Sequence, residues 1–129
     1  MKDLSILVVD DSEFMQNIIK KALERAGFSK IWFANSGNKA LETLEKMKFD
    51  IMFLDINMLD GDGLQTLKEI NKKHDESGFK KPKCVIISAV EQEVVKEEAV
   101  KLGAIGYIQK PFEEKDIADI LNKVIEGET

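Results

Sequence analysis

Short apolar segments alternate with amphipathic helical patterns along the chain. The apolar segments are residues 5–10, 30–34, 51–55, 84–88 and 106–109. Runs this short and this rich in large apolar side chains are typical of strands buried in a parallel sheet. Segment 30–34 has a more mixed composition, which favours an edge position. The strict alternation of strand and helix predicts a parallel sheet with right-handed crossovers and helices on both faces.

The helical patterns repeat apolar residues three and four positions apart. Ser12 is a candidate cap for the first helix. The apolar stripe of that helix consists of Phe14, Met15, Ile18, Ile19, Ala22 and Leu23. Gly27 and Gly103 are predicted to end the first and the fourth helix, and the fourth is expected to span 91–102. Residues 72–83 are polar and contain five lysines. We interpret this segment as a solvated loop, with a basic docking patch as the alternative.

The length of 129 residues predicts a single domain, 1–129. The net charge of −5 argues against nucleic acid as a partner, because a nucleic-acid binder needs a basic face for the phosphates. No apolar run approaches the roughly 20 residues that span a bilayer, and the first residues lack a cleavage-site signature. We therefore expect neither membrane insertion nor a signal peptide.

Cys84 and His74 are the only cysteine and the only histidine in the chain. A single cysteine excludes an internal disulfide and suits a reducing cytoplasm, where we expect the protein to act. Cys84 lies in an apolar run and is predicted to belong to the core, while His74 is flanked by charged residues. Both observations argue against a zinc site or a cysteine–histidine catalytic pair.

Polar residues follow four of the five predicted strands. They are Asp10 and Asp11, Asp55, Ser88 and Lys110. The carboxyl ends of parallel strands meet at one edge of the sheet, which is where ligands bind in open α/β folds. Three carboxylates crowded there would repel each other, and a hard divalent cation such as Mg²⁺ would relieve the repulsion. With a lysine and a hydroxyl added, the set predicts a pocket for a phosphoryl group.

Asp55 stands alone at the predicted centre of the sheet and is the candidate nucleophile, since carboxylates can form aspartyl-phosphates. Asp10 and Asp11 come as a pair, which suits a metal. Taken singly, an aspartate after a strand is usually a helix cap or a turn former, and Lys110 could simply be solvated. Taken together, their positions and complementary charges favour the phosphoryl pocket.

This ordered set resembles the receiver domain of bacterial two-component response regulators, in particular the free-standing chemotaxis type. The resemblance covers residues 6–125. Its motifs are the Asp10-Asp11 pair, the apolar strand into Asp55, Gly63 eight residues on, Ser88-Ala89 and Lys110-Pro111-Phe112. It implies a flavodoxin-like α/β fold, whose five-stranded parallel sheet has the order 2-1-3-4-5.

The resemblance also implies roles for individual residues. Asp55 would accept a phosphoryl group from a histidine kinase, a phosphotransfer protein or a small acyl phosphate. Asp10, Asp11 and Asp55 would bind Mg²⁺ together with the backbone carbonyl of Asn57. Ser88 and Lys110 would contact the phosphoryl oxygens. The protein would catalyse only its own phosphorylation and dephosphorylation.

The resemblance further implies that Tyr107 swings inward when Ser88 moves, and that the Lys110–Pro111 peptide bond is cis. The output surface would be formed by the fourth helix, the fifth strand and the fifth helix. Through it a monomer would bind a downstream protein target, and a phosphatase would be a further partner. Leu59 and Val90 depart from the family pattern, in which proline and an acid are usual, and the connection around 80–82 is longer than in most receivers.

Three alternatives stay open. An aspartate-nucleophile phosphatase usually has a second acid two residues after the nucleophile, where this chain has Asn57. A flavin electron carrier of the same fold should have a Ser-, Thr- and Gly-rich phosphate loop after the first strand, where this chain has Asp10 and Asp11. A receiver relic would bind partners without phosphorylation, but no pocket residue is missing.

Overall fold

The computed structural model describes residues 3–58, 61–78, 80–89 and 93–126, with 61 and 62 described by their backbone. The strands of the main sheet are β1 (Ile6–Val9), β2 (Ile31–Ala34), β3 (Ile51–Asp55), β4 (Lys83–Ser88) and β5 (Gly106–Gln109). The helices are α1 (Glu13–Arg25), α2 (Gly37–Lys46), α3 (Gly63–Ser77), α4 (Glu93–Lys101) and α5 (Glu114–Ile125). The two-residue strands Asn57–Met58 and Gly61–Asp62 form a separate antiparallel pair after β3.

The main sheet is entirely parallel, and its strands lie in the order β2-β1-β3-β4-β5. This arrangement confirms the α/β fold and the predicted order. Every residue of β1 and β3 is buried, as expected of strands covered on both faces. β2 pairs with β1 at one end of the strand order and exposes Trp32, which confirms its predicted edge position.

Alternate residues of the central strands point to opposite faces of the sheet. One face carries Leu7, Val9, Met52, Leu54 and Ile86, covered by apolar residues of α2, α3 and α4. The other carries Ile6, Val8, Ile51, Phe53, Val85 and Ile87, covered by α1 and α5. The two cores hold β1 and β3 from both sides, so the carboxyl ends of these strands are fixed in position.

The first helix differs from its predicted apolar stripe. Ser12 caps it as predicted, with its hydroxyl accepting a hydrogen bond from Met15 N at 3.3 Å. Ile19 and Leu23 are buried, but Phe14 in the first turn is 73% exposed. The reason is that the helix begins beyond the carboxyl edge of the sheet, where its apolar face borders an open groove.

The predicted loop at 72–83 is wrong for its first half, because α3 continues to Ser77. Lys73 faces α2 and pairs with Glu45 there, with Nζ and Oε1 2.6 Å apart. Residues 71–77 are all polar, so this part of the helix lacks the apolar stripe by which a helix is recognised in a sequence. Gly78, with a φ of 71°, ends the helix.

Gly27 and Gly103 have φ values of 98° and 97° and follow α1 and α4, as predicted. The described part of the fourth helix begins at Glu93. Residues 91 and 92, with the family departures Leu59 and Val90, lie outside the described residues.

Cys84 is buried, as predicted, and burial raises the pKa of its thiol to about 12. Such a thiol stays protonated and unreactive near neutral pH. Among the described residues, no helix combines the length and the apolar character needed to cross a bilayer.

Candidate functional site

The carboxyl ends of β1 and β3 bring three carboxylates together, as the strand-end pattern predicted. Asp10 follows β1 directly and is 0% exposed, and Asp55 ends β3 and is 1% exposed. Asp11 is half-buried beside them. Each contributes an oxygen to a group whose members all lie within 4.8 Å of one another.

The start of α1 holds Asp10 in place. Ser12 N donates a hydrogen bond to Asp10 Oδ1 at 2.9 Å, and Gln16 Nε2 donates to the Asp10 backbone carbonyl at 2.7 Å. Sequence reasoning missed Gln16, whose only signal was its place one turn after the helix cap. These contacts orient the second oxygen, Oδ2, toward the acidic cluster.

Asp10 Oδ2 is buried and has no hydrogen-bond partner among the residues that the structure describes. Burial, with the negative charges of Asp55 and Asp11, raises the pKa of Asp10 to about 6, although Ser12 N–H and Lys110 oppose this. A desolvated carboxylate of this kind needs a cation. An all-oxygen set with one orphaned buried oxygen fits a hard divalent ion such as Mg²⁺.

Lys110 approaches the same cluster from the end of β5. Its Nζ lies 3.1 Å from Asp55 Oδ2 and 4.0 Å from Asp10 Oδ2. Its backbone N donates to Ser88 O at 2.8 Å, which ties the ends of β4 and β5 together. The Lys110–Pro111 peptide bond is cis, as the resemblance implied.

The loop after β3 joins Asp55 to Ser88. Asn57 N donates to Asp55 Oδ1 at 2.9 Å, so both oxygens of Asp55 have partners. The side-chain oxygen of Asn57 accepts from Ser88 Oγ at 3.1 Å and from Ala89 N at 3.0 Å. From the sequence, only the backbone carbonyl of Asn57 was assigned a binding role, and the hydrogen bonds of its side chain to Ser88 and Ala89 were not predicted. The sole signal for its side chain was a polar residue two positions after a strand-end carboxylate.

Gly63 lies where α3 begins against this loop. A Cβ there would be 2.5 Å from Ile56 Cα and 2.8 Å from the Asp55 carbonyl oxygen. Neither backbone atom can give way cheaply, so the position requires glycine. This close approach explains why a glycine stands eight residues after Asp55.

Tyr107 lies away from the six site residues that gather at the carboxyl edge. Tyr107 pairs with Ile86 of β4. This pair lies two residues before the pair Ser88–Gln109, toward the amino ends of both strands. Its half-buried ring packs on the α4 side of the core, with Lys96 Nζ 5.5 Å from the ring centroid. Tyr107 therefore lies on β5, three residues before Lys110, and its ring faces α4.

An open groove of about 450 Å³ runs beside Lys110. Its other lining residues are Phe14, Met15, Ile18, Ala89, Pro111 and Phe112. Sequence analysis assigned the first three of these to a helix stripe and did not anticipate a groove, because periodicity shows which residues share a face but not where the covering element stops.

Comparison with known proteins agrees with this fold. Residues 6–122 match the response regulator receiver domain family. The chemotaxis protein CheY of Thermotoga maritima is 34% identical over 119 residues, which are 92% of this chain and 95% of that protein. Chemotaxis protein CheY-3 of Vibrio cholerae is 35% identical over 125 residues, 97% of this chain and 94% of that protein.

Solved structures give the same result. The chemotaxis response regulator CheY4 of Vibrio cholerae has a TM-score of 0.82 and 26% identity, with 95% of this chain and 98% of that chain covered. The match in sequence and fold extends over nearly the whole chain, so the chain belongs to the response regulator receiver domains of the CheY type, a family whose general function is phosphorylation-activated switching.

Proposed function

We propose that Asp55 accepts a phosphoryl group from a histidine kinase or a phosphotransfer protein, and that this modification switches a protein-binding surface. The observation that carries the proposal is the environment of Asp55. Its carboxylate is buried at the end of the central strand, 3.1 Å from the Lys110 ammonium group and within the Asp10–Asp11 cluster.

In the transfer step, an oxygen of Asp55 forms a bond to phosphorus as the bond from phosphorus to the donor nitrogen breaks. The released imidazole keeps that bonding electron pair. The chain supplies position and charge, which account for most of the catalysis in phosphoryl transfer. Lys110 Nζ pairs with a phosphoryl oxygen, and Ser88 Oγ donates a hydrogen bond to another.

Asp10, Asp11, Asp55 and the backbone carbonyl of Asn57 would hold Mg²⁺, which neutralises charge on the phosphoryl oxygens when bound. The ion would also contact Asp10 Oδ2, which has no hydrogen-bond partner among the described residues and lies 4.0 Å from Lys110 Nζ. The proposal therefore accounts for a feature that would otherwise only destabilise the fold.

The apolar groove beside Lys110 supports a protein as the phosphoryl donor. Phe14 exposes 73% of its surface there, and exposed apolar surface beside a reactive centre is typical of protein contact sites. A small acyl phosphate would not need such a surface.

The output surface is proposed on α4, β5 and α5, as expected from the sequence. On α4, Val94 and Val100 are 74% and 60% exposed. Val100 also lines an apolar groove of about 340 Å³ with Ala104 and Tyr107. New contacts of Ser88 and Lys110 with a phosphoryl group would bias the position of this surface, through which a monomer in the cytoplasm would bind its target.

The test is incubation with acetyl phosphate and Mg²⁺, followed by intact-protein mass spectrometry. The wild type should gain one phosphoryl group, and Asp55→Asn should gain none. Asp75→Asn changes an exposed carboxyl on α3 and serves as the matched control, so it should behave as the wild type. Labelling of Asp55→Asn at the wild-type level would refute the assignment.

The phosphatase alternative predicts a different result with the same sample. A phosphatase would turn over an external monoester such as p-nitrophenyl phosphate many times. We propose instead that the protein acts only on its own acyl phosphate, because Asn57 stands where that class usually has its second acid. Sustained release of nitrophenol would favour the phosphatase.

A further inference from the structure

The side-chain oxygen of Asn57 accepts two hydrogen bonds from the segment after β4. Ser88 Oγ lies 3.1 Å from it and Ala89 N lies 3.0 Å from it. The backbone N–H of Ala89 can only donate, so the atom that faces it is the amide oxygen of Asn57. Two donors on adjacent residues thus converge on one oxygen.

A pair of donors aimed at one point is a site for an oxygen that carries negative charge. This point also lies beside the phosphoacceptor, because Asn57 N is bonded to Asp55 Oδ1 at 2.9 Å. A phosphoryl group on Asp55 would bring charged oxygens into the same small space. The donors cannot serve that group fully while they remain bonded to the Asn57 amide.

We propose that the Asn57 side chain is an internal stand-in for a phosphoryl oxygen, which holds Ser88 and Ala89 in the resting arrangement until the modified Asp55 displaces it. This inference rests on the proposed function. It makes Asn57 a positioning residue that sets the balance between the resting and the active state.

The direction of the competition follows from charge. The amide oxygen is neutral, whereas phosphoryl oxygens are charged and form hydrogen bonds that are roughly twice as strong. The phosphoryl group therefore wins the two donors, but only the difference between the two sets of bonds drives the switch. Removing the neutral competitor should make that difference larger.

The variant Asn57→Ala tests this directly, because it removes the side-chain acceptor and leaves the backbone N–H and carbonyl in place. Asn57 is exposed, so the truncation leaves no buried cavity. Beryllofluoride serves as the phosphoryl mimic and is titrated at saturating Mg²⁺, with the Ala89 amide followed by NMR. We expect the variant to bind beryllofluoride about tenfold more tightly, since two modest hydrogen bonds no longer compete.

A second variant and two controls isolate the effect. Asn57→Ser shortens the side chain and keeps it polar, so it should change affinity in the same direction even if the alanine variant folds poorly. Asn38→Ala, which changes an exposed asparagine on α2, should leave beryllofluoride affinity unchanged. Calorimetry without beryllofluoride gives the Mg²⁺ affinity of each protein, so that every beryllofluoride titration is made at saturating Mg²⁺.

A double-mutant cycle provides a result that a structural role would not give. In a Ser88→Ala background one of the two contested donors is gone, so the gain from Asn57→Ala should shrink to about threefold. An undiminished gain, or an Asn57→Ala affinity equal to or weaker than wild type, would overturn the inference. If the wild type itself binds no beryllofluoride at saturating Mg²⁺, that result contradicts the proposed function and therefore also the inference that rests on it.

Discussion

Asp10 gives the sharpest quantitative test of the acidic pocket. Replacing it with asparagine keeps an oxygen to accept the hydrogen bond from Ser12 N and removes the negative charge. The remaining group resembles the protonated carboxyl in size and shape. The variant therefore isolates the free energy of holding an ionised carboxylate at a buried position.

The magnitude comes from the pKa of Asp10, which rises from 3.8 to about 6, chiefly because of burial. One pKa unit corresponds to about 1.4 kcal/mol, so ionised Asp10 lowers the free energy of unfolding by about 3 kcal/mol at neutral pH. The folded state binds the proton more tightly than the unfolded chain. The penalty is therefore absent below about pH 4 and grows to its full value as the pH rises past about 6.

The assay is urea unfolding with EDTA present, followed by far-UV circular dichroism over this pH range. Asp10→Asn should be more stable than the wild type by about 3 kcal/mol at neutral pH and equally stable near pH 4. Titratable groups that do not interact with Asp10 contribute equally in both proteins and cancel in the comparison. Mg²⁺ should stabilise the wild type more than the variant, because it pairs the charged oxygen.

Two outcomes would refute this reasoning. If Asp10→Asn is no more stable than the wild type at neutral pH in EDTA, the buried charge of Asp10 does not lower the free energy of unfolding. If the stability difference does not change with pH, its origin is not the ionisation of Asp10.

Further predictions concern the metal, the loop and the donor surface. Asp11→Ala should weaken Mg²⁺ binding about tenfold by calorimetry, since one of three clustered carboxylates is lost; unchanged affinity would remove Asp11 from the ligand set. Gly63→Ala should lower the free energy of unfolding by about 1–3 kcal/mol, because its methyl group meets backbone at 2.5 Å. A methyl group at Gly106 would meet side-chain atoms of Ile120 and Val85 and no backbone atom among its nearest neighbours, so an equal loss in Gly106→Ala would contradict the explanation. Phe14→Ser should slow phosphorylation by a donor protein about tenfold and affect acetyl phosphate much less. Val100→Ser, on the output side, is its control, and equal slowing by both would argue against a donor groove beside α1.

Periodicity predicted a parallel α/β sheet, and the polar residues at the strand ends predicted most of the pocket. The order of the strands, which makes Asp10, Asp55 and Lys110 neighbours, came from the resemblance to receiver domains. The full length of α3 could not be predicted in this way, because residues 71–77 are all polar and have the composition of a loop. The pairing of Lys73 with α2 is visible only in three dimensions.

Contacts between loops were also beyond the sequence. The bond from Ser88 to Asn57 joins residues 31 positions apart and depends on how the chain turns after β3. The exposure of Phe14 depends on where its covering elements end. Both features lie at the edge of the site. There the contacts depend on how separate elements pack together, which the local sequence pattern does not show.

The depth of Asp55 has a consequence for the duration of the signal. Asp55 is 1% exposed and its Oδ2 lies 3.1 Å from Lys110 Nζ, so a phosphoryl donor must bring its phosphorus atom into a recess at the carboxyl edge of the sheet. The same recess then restricts the approach of the water molecule that would hydrolyse the aspartyl-phosphate. The geometry of this recess would thus affect both the rate at which Asp55 is phosphorylated and the lifetime of the aspartyl-phosphate.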